Sequence, residues 1–401
     1  MNKDLSKHLK AIEENTVDLI SPEQLEKKIK DKLKKSKPLK IKIGFDPTAC
    51  DIHIGHTVLL NKLRKLQDLG HIVYFIIGDF TAKIGDPSGK IIQRPVLDDS
   101  QIRANASTYT KQAFKILNKR KTKIIYNSRW YKKMNLSSFL SLLSSYTVAR
   151  ILERDDFSKR IQNQKPLSLL EVIYPLIQGY DSYKMEADIE FGGTDQKFNL
   201  LVGRNLQQFF NQPPQIVATM PLLVGLDGQK KMSKSLGNYI GITEKPKDMF
   251  GKIMSVPDEI MWDYIRLLTD FDLSQIKQMH PKDAKVKLAK YLVSRYYSKN
   301  LAEKESKEFQ KVFSERKIPE KVPIYKADNK KIDVVDILSK MKLTSSKNEA
   351  RRLLNQGSIT MIDSKDPSNY SVLKKNITFF SSEEVILKVG KKRFLKIVVK
   401  S

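Results

Sequence analysis

The sequence predicts an α/β protein: a catalytic domain on a parallel sheet with a helical insertion, then an all-helical domain, then a small α+β domain. Three observations carry this. Residues 39–77 read as strand, helix and strand, with the second strand an almost unbroken apolar run. Such a run suits a strand buried on both faces of a parallel sheet. From about 246 to 316 the apolar spacing is helical throughout, and beyond 333 short helices and short strands alternate.

Taken in order, residues 1–35 read as a helical segment, with Leu5, Leu9, Ile12, Leu25, Ile29 and Leu33 at helical spacing. Leu39-Lys40-Ile41-Lys42-Ile43 alternates and runs into the loop Gly44-Phe45-Asp46-Pro47. A helix follows from Gly55 to Leu69 and stops at Gly70. Ile72–Ile77 then completes a β-α-β unit. Lys123–Tyr126 and Gln215–Thr219 are further strand candidates, and 101–118 and 136–153 have helical patterns. The terminal region reads as helices at Val334–Met341 and Lys347–Asn355, then strands at Ile359–Ile362, Val385–Val389 and Phe394–Val399. The resulting divisions are an N-terminal helical segment (1–35), a catalytic domain (36–240, with a helical insertion at about 95–190), a helical domain (246–318), a linker (319–335) and a terminal domain (336–401).

With 73 Lys and Arg against 45 Asp and Glu, the 401-residue chain carries a net charge of +28. A field of that sign gathers polyanions, and nucleic acid is the natural partner. Codon bias toward lysine would give the same total. The last 71 residues are more basic still per residue, at net +8. No apolar run is long enough to span a membrane. The polar start, Met1–Glu14, is not a secretory signal. A single cysteine, Cys50, excludes an internal disulfide and a cysteine-based zinc site. A cytoplasmic protein is expected.

Two strings stand out for their chemistry. His53-Ile54-Gly55-His56 opens a helix and holds two of the five histidines. Helix N-terminal amides suit phosphate, and a glycine clears space for a ring against the backbone. Two surface histidines at a helix start are the plain alternative. A metal pair is not expected, for no third ligand has usable spacing and no HExxH pattern is present. Lys231-Met232-Ser233-Lys234-Ser235 follows the turn-rich Gly225-Leu226-Asp227-Gly228. Two ammonium groups on such a loop can neutralise charge growing on a leaving pyrophosphate. Alone, it reads more readily as a solvated lysine loop, and only the pairing with His53 and His56 overturns that. In this order and separation the two strings resemble the ATP-handling elements of class I aminoacyl-tRNA synthetases.

The resemblance narrows with Gly44-Phe45-Asp46-Pro47-Thr48, Ile84-Gly85-Asp86-Pro87-Ser88-Gly89-Lys90, Tyr174-Pro175-Leu176-Ile177-Gln178-Gly179-Tyr180-Asp181 and Gly192-Gly193-Thr194-Asp195-Gln196. These are similar, in order, to motifs of the bacterial tyrosyl-tRNA synthetases, across most of residues 40–240. Tyr174, Gln178 and Asp181 fall at i, i+4 and i+7, one face of a helix. Asp181 there can accept a phenol proton, and phenylalanine would leave that acceptor unpaired. Tyrosyl-tRNA synthetases are the known example of such rejection. One better-known branch of the family has tyrosine two residues before Gly44. Lys42 stands here, which matches the second bacterial branch. Residues 336–401 resemble the S4-type RNA-binding module through Thr344–Leu354 and Gly357-Ser358-Ile359, with Lys347, Arg351 and Arg352 facing phosphate.

The resemblance implies a Rossmann-like catalytic sheet and a homodimer acting on L-tyrosine, ATP and tRNA(Tyr). ATP would come with Mg²⁺, and no protein-bound metal or organic cofactor is expected. It implies that Gly44, Asp86, Tyr174, Gln178, Asp181 and Gln196 hold tyrosine. Asp46, Gly55, His56, Asp195, Lys231, Lys234 and Ser235 would hold the nucleotide. Thr48, His53, His56, Lys90, Arg94, Lys231 and Lys234 would act on the migrating charge, Arg94 reading equally as a surface charge. Three rivals are a tryptophan-specific relative, a tRNA-independent nucleotidyltransferase and a non-enzymatic RNA-binding descendant. The Tyr174/Gln178/Asp181 face, the basic tail and the intact His53 and Lys234 argue against them.

Overall fold

The N-terminal stretch that periodicity reads as one helical segment is two helices, α1 (Asn2–Glu13) and α2 (Pro22–Lys34), parted by a short strand, β1 (Asp18–Ile20). Asn15 takes the left-handed conformation just after α1, and Pro22 starts α2 where its missing N–H costs nothing. The computed structural model describes residues 2–47, 51–87, 98–313, 322–328, 331–364, 370–373, 376–379, 384–390 and 393–399. Thr48, Cys50, Lys90 and Arg94 lie outside the described residues.

The chain divides into two compact units, 1–299 and 300–401. In the first, β2 (Lys40–Phe45), α3 (Ile54–Asp68), β3 (Ile72–Ile77), α4 (Asp99–Ala113) and β4 (Thr122–Tyr126) form successive parallel β-α-β crossovers. The short helices α5 (Ser128–Tyr131), α6 (Leu136–Ser144), α7 (Val148–Leu152) and α8 (Asp155–Gln162) precede the longer α9 (Leu169–Met185). Ser168 caps α9 and Glu171 reaches back to complete a capping box. Then come β5 (Ile189–Gly193), α10 (Lys197–Phe209) and β6 (Ile216–Met220). Strand β5 thus starts just inside the stretch, to about 190, that the sequence assigns to the helical insertion.

The sheet order is β1-β6-β5-β2-β3-β4, parallel except for the β1 edge, where Asp18 pairs with Thr219. Succession runs outward from β2 through β3 to β4, then jumps to β5 on the other side of β2. That reversal opens a crevice at the carboxyl ends of β2 and β5, where open α/β sheets bind ligands. Ile41, Ile43, Val73 and Phe75 are buried in the sheet, and α9 and α10 pack closely where Gly179 meets Gly203. Helices α11 (Pro246–Met254), α12 (Asp258–Leu268), α13 (Leu273–Ile276) and α14 (Pro281–Tyr296) follow, as their periodicity predicts. Helix α15 (Lys299–Phe313) crosses into the second unit.

The second unit holds β7 (Ile324–Ala327), β8 (Lys331–Asp333), α16 (Val334–Lys340), α17 (Lys347–Asn355), β9 (Ile359–Asp363), β10 (Tyr370–Val372), β11 (Ile377–Phe379), β12 (Glu384–Val389) and β13 (Arg393–Val399). Its larger sheet runs β10-β9-β12-β13-β7, and β8 pairs with β11. Thus the 319–335 stretch expected to be a linker contributes two strands, β7 and β8, to this unit. Val334, Leu338, Leu354, Ile359, Leu387 and Leu395 form its core.

Candidate active site

A cavity of about 450 Å³ opens at the carboxyl ends of β2 and β5. It is lined by Gly44, Asp46, His53, Gly55, His56, Asp86, Tyr174, Gln178, Asp181, Asp195, Gln196, Lys231 and Ser235. Lys234 is not among the lining residues, although its neighbours are. At Gly44 an added Cβ would meet nothing within 4 Å, so the backbone there opens directly onto the cavity.

One end of the cavity is rich in buried carboxyl groups. Helix α9 presents Tyr174, Gln178 and Asp181 along one face. Asp181 is buried and accepts three hydrogen bonds, which leaves acceptor capacity for one more donor. Its Oδ1 accepts from Trp130 Nε1 at 3.0 Å and Tyr131 OH at 2.9 Å, and its Oδ2 from Asn127 Nδ2 at 3.3 Å. Burial pushes its carboxyl up to about 6, with Lys42 and these donors pulling the other way. Asp46 accepts from Tyr174 OH at 2.8 Å and Thr81 Oγ1 at 2.6 Å, and burial pushes it up to about 7. Gly78 makes that contact possible, for a Cβ there would sit 2.0 Å from Asp46 Oδ1. Gln196 Nε2 donates to Asp86 Oδ2 at 2.8 Å. Buried Asn199 donates to both Gln178 Oε1 (2.9 Å) and Gln196 Oε1 (3.0 Å), fixing how those amides point.

The other end is basic. His53 is the N-cap of α3, and its ring stacks on His56 at 3.7 Å between centroids. The backbone N–H of His53 donates to His56 Nδ1 at 3.3 Å. Burial first, then the neighbouring ring and Lys234, depresses His53 to about 2; burial with Lys234 and Lys231 takes His56 to about 4. Both rings are neutral at pH 7, each with one N–H to donate. A Cβ on Gly55 would lie 3.0 Å from the His53 ring and 3.6 Å from Met232. The lysine loop is therefore laid against the start of α3. Ile54 N bonds to Ile240 O, and His53 bridges to Gly241. Asn238 ties the loop together, accepting from Ser233 N and donating to Asp227.

Both lysines rest on carboxylates. Lys231 Nζ lies 2.7 Å from Asp195 and Lys234 Nζ 3.2 Å from Asp51. These pairs are partly exposed, so they hold their partners weakly and can be exchanged. Among the described residues, no group of three or more His, Cys, Asp or Glu could hold a metal ion.

Sequence reasoning did not single out Asn127, Trp130, Tyr131, Asn199, Thr81 or Gly78. A signal existed for two of them: Gly78 and Asn127 directly follow the carboxyl ends of β3 and β4, where this fold class binds ligands. Lys42, whose direction the sequence left open, is buried and ion-paired to Glu190 at 2.7 Å. In the second unit, Lys347, Arg351 and Arg352 are exposed on α17, with Lys347 paired to Asp336 at 2.5 Å and Arg351 bonded to Asn348.

A parallel sheet with its crevice at the strand reversal, two stacked histidines at a helix start and a lysine loop against them define a class I synthetase type of nucleotide site. Residues 34–314 match the family described as tRNA synthetases class I (W and Y). The chain belongs to that family. Residues 315–397 match the Tyrosine--tRNA ligase SYY-like C-terminal domain. The tyrosine--tRNA ligase of Aquifex aeolicus is 49% identical over 394 residues, covering 97% of this chain and 98% of that one. That of Francisella tularensis is 48% identical, covering 94% and 95%. Among solved structures, a tyrosyl-tRNA synthetase complexed with L-tyrosine from Archaeoglobus fulgidus shares the fold, with a TM-score of 0.62, 23% identity and coverage of 75% of this chain and 99% of that one.

Proposed function

We infer that this chain is a tyrosine–tRNA ligase, joining L-tyrosine to tRNA(Tyr) at the expense of ATP, and we propose the following roles for its residues. The observation that supports this assignment best is the cavity itself: the Tyr174/Gln178/Asp181 face and the His53/His56/Lys231 elements line one space.

Tyrosine's ammonium would lie among Asp86, Tyr174 and Gln178, with Gln196 beside them; Asp46, expected at the nucleotide, is bonded to Tyr174 and is therefore placed at this end instead. An incoming cation favours the charged form of Asp46, which burial otherwise disfavours. Its phenol would donate to Asp181. The tyrosine carboxylate, ionised at neutral pH, attacks the α-phosphate of ATP without a general base. A P–O bond forms to the carboxylate as the bond to pyrophosphate breaks. Catalysis is then positioning and charge stabilisation. Neutral His53 and His56 donate N–H groups to phosphate oxygens, and Gly55 leaves room for the adenine. Asp195 binds the ribose. Lys231, Lys234 and Ser235 leave their present partners and turn to the departing pyrophosphate. Thr48, Lys90 and Arg94 are proposed to join them. The 3′-terminal adenosine hydroxyl of tRNA then displaces AMP from the mixed anhydride, with Lys347, Arg351 and Arg352 on RNA phosphates. Mg²⁺ would arrive on the ATP phosphates, which with water supply its oxygens without a cage of protein ligands.

We also propose a homodimer. Leu136, Leu140, Val148, Leu169 and Leu170 are large apolar side chains left exposed on α6, α7 and the start of α9. Since α6 and α7 each pack against α9, exposed apolar side chains on these helices favour a protein interface. No helix among the described residues is long and apolar enough to cross a membrane, and a cytoplasmic location is proposed.

The test is amino-acid-dependent exchange of pyrophosphate into ATP. Exchange with tyrosine, and not with phenylalanine or tryptophan, is expected. Exchange driven best by tryptophan, or by no amino acid, would overturn the assignment.

A further inference from the structure

Lys42 lies in the middle of β2, in register with Glu190 on β5, and both side chains are almost fully buried at 1% and 2% exposure. The pair is saturated. Lys42 Nζ donates to Ser182 Oγ at 2.7 Å and to the Gln178 carbonyl at 3.3 Å, besides its 2.7 Å contact with Glu190 Oε1. Glu190 Oε2 accepts from Ser182 Oγ at 2.8 Å and Gln215 Nε2 at 2.5 Å. Gln178 and Ser182 are the residues three before and one after Asp181 on α9. The pair therefore grips the turn of helix that carries Asp181. Apolar side chains of similar volume commonly replace a buried ion pair without loss of stability, so its presence under a ligand cavity asks for another role.

We propose that the Lys42–Glu190 pair is a positioning device for Asp181 that sets both its place and its charge, and so determines the preference for tyrosine over phenylalanine. The proposal rests on Asp181 being the phenol acceptor. An ionised carboxylate accepts from a phenol with either oxygen, whereas a protonated one surrenders part of that capacity. The charged and titratable groups that act on Asp181 are Lys42 and Asp46 from β2 and its loop, Tyr131 from α5 and Tyr174 on α9 itself, with Glu190 on β5 and Asp86 in the loop after β3 lining the same cavity. Burial and Asp46 favour the protonated form. Lys42 is the cation that opposes them, and the Glu190 carboxylate, 2.7 Å from Lys42 Nζ, offsets part of that cation's field.

The two partners should thus act in opposite directions, which a merely structural pair would not do. The experiment is tyrosine- and phenylalanine-dependent pyrophosphate exchange, followed as kcat/KM from about pH 5 to about pH 8.5. The variants are Lys42→Met, Glu190→Gln and the double Lys42→Met/Glu190→Gln, with Asp181→Ala as reference. Loss of Lys42 is expected to move the acid limb for tyrosine to higher pH, each unit costing roughly tenfold below the limb. The tyrosine/phenylalanine ratio falls at pH 7 and recovers as pH rises. Glu190→Gln is expected to move the limb to lower pH. If Lys42→Met does not fold, the double variant and Glu190→Gln carry the test. Limbs that stay put or move the same way, or a loss of selectivity equal at every pH, would overturn the proposal. If Asp181→Ala leaves the ratio unchanged, the phenol reading itself fails. If Asp181→Ala collapses the ratio while the limbs stay fixed, only this inference fails.

Discussion

At the carboxylate-rich end of the cavity, Asp181 is buried and held by three donors from the single segment 127–131, and Asp46 by two hydroxyls. At the basic end, Lys231 is 42% exposed and Lys234 22% exposed, and each leans on a carboxylate that is itself partly in water. The first arrangement is costly to disturb and admits little adjustment. The second exchanges partners cheaply, for exposed ion pairs are worth about 0–1 kcal/mol. From this contrast we propose that selection belongs to the rigid end and acceleration to the loose one. A lysine that must meet charge only as it develops gains from being weakly held beforehand.

The largest effect that would sharpen this contrast is in the rate. Lys234→Ala should slow adenylate formation about 10²–10³-fold while tyrosine affinity changes little. Equal losses in both, read by stopped-flow kinetics and equilibrium binding, would break the division.

Next is selectivity. Asp181→Ala should lower the tyrosine/phenylalanine ratio in pyrophosphate exchange by about 10²-fold and leave ATP binding intact, since the hydrogen bond that only the phenol can make is lost. An unchanged ratio would remove Asp181 from the phenol site.

A third effect concerns stability. Burial raises the Asp181 carboxyl from 3.8 to about 6, so the folded protein takes up a proton between those values that the unfolded chain does not. Its charge therefore costs stability that is absent below about pH 4 and fully felt above about pH 6. Asp181→Asn should raise unfolding free energy by about 1–3 kcal/mol at pH 7.5 and by much less at pH 4. Urea unfolding at the two pH values checks this, and a gain that does not depend on pH would contradict it.

The smallest effect lies outside the cavity. Replacing Lys347, Arg351 and Arg352 together by Ala should weaken tRNA binding and reduce the slope of log K against log salt by roughly 0.7 for each phosphate that is no longer neutralised. Exchange of pyrophosphate, which needs no tRNA, should keep its rate. An unchanged slope would take α17 out of the RNA surface.

How far the sequence reached follows from which interactions are local. The β2–α3–β3 unit was legible because alternation, helical spacing and the terminal Gly70 are properties of neighbouring residues. That Tyr174, Gln178 and Asp181 share the cavity-facing side of α9 was legible for the same reason, from positions i, i+4 and i+7. The strand β1 was not, because three residues become a strand only by pairing with β6, two hundred positions away. Strand β5 is five residues long and is likewise set by its neighbours on the sheet. At the site, the side chains that aim Asp181 and Gln178 come from α5, its preceding turn and α10, and tertiary packing alone brings them there. The sequence showed an unexpected lysine at 42. Only the register of β2 against β5 shows that Glu190 receives it.

The most direct test is single-turnover formation of tyrosyl-adenylate against tyrosine concentration, with Asp181→Ala and Lys234→Ala measured side by side. The two-ended account predicts that Asp181→Ala raises the half-saturating tyrosine concentration and retains most of the maximal rate. It predicts that Lys234→Ala lowers the maximal rate and leaves half-saturation in place. If both variants move both parameters together, the cavity does not divide selection from acceleration.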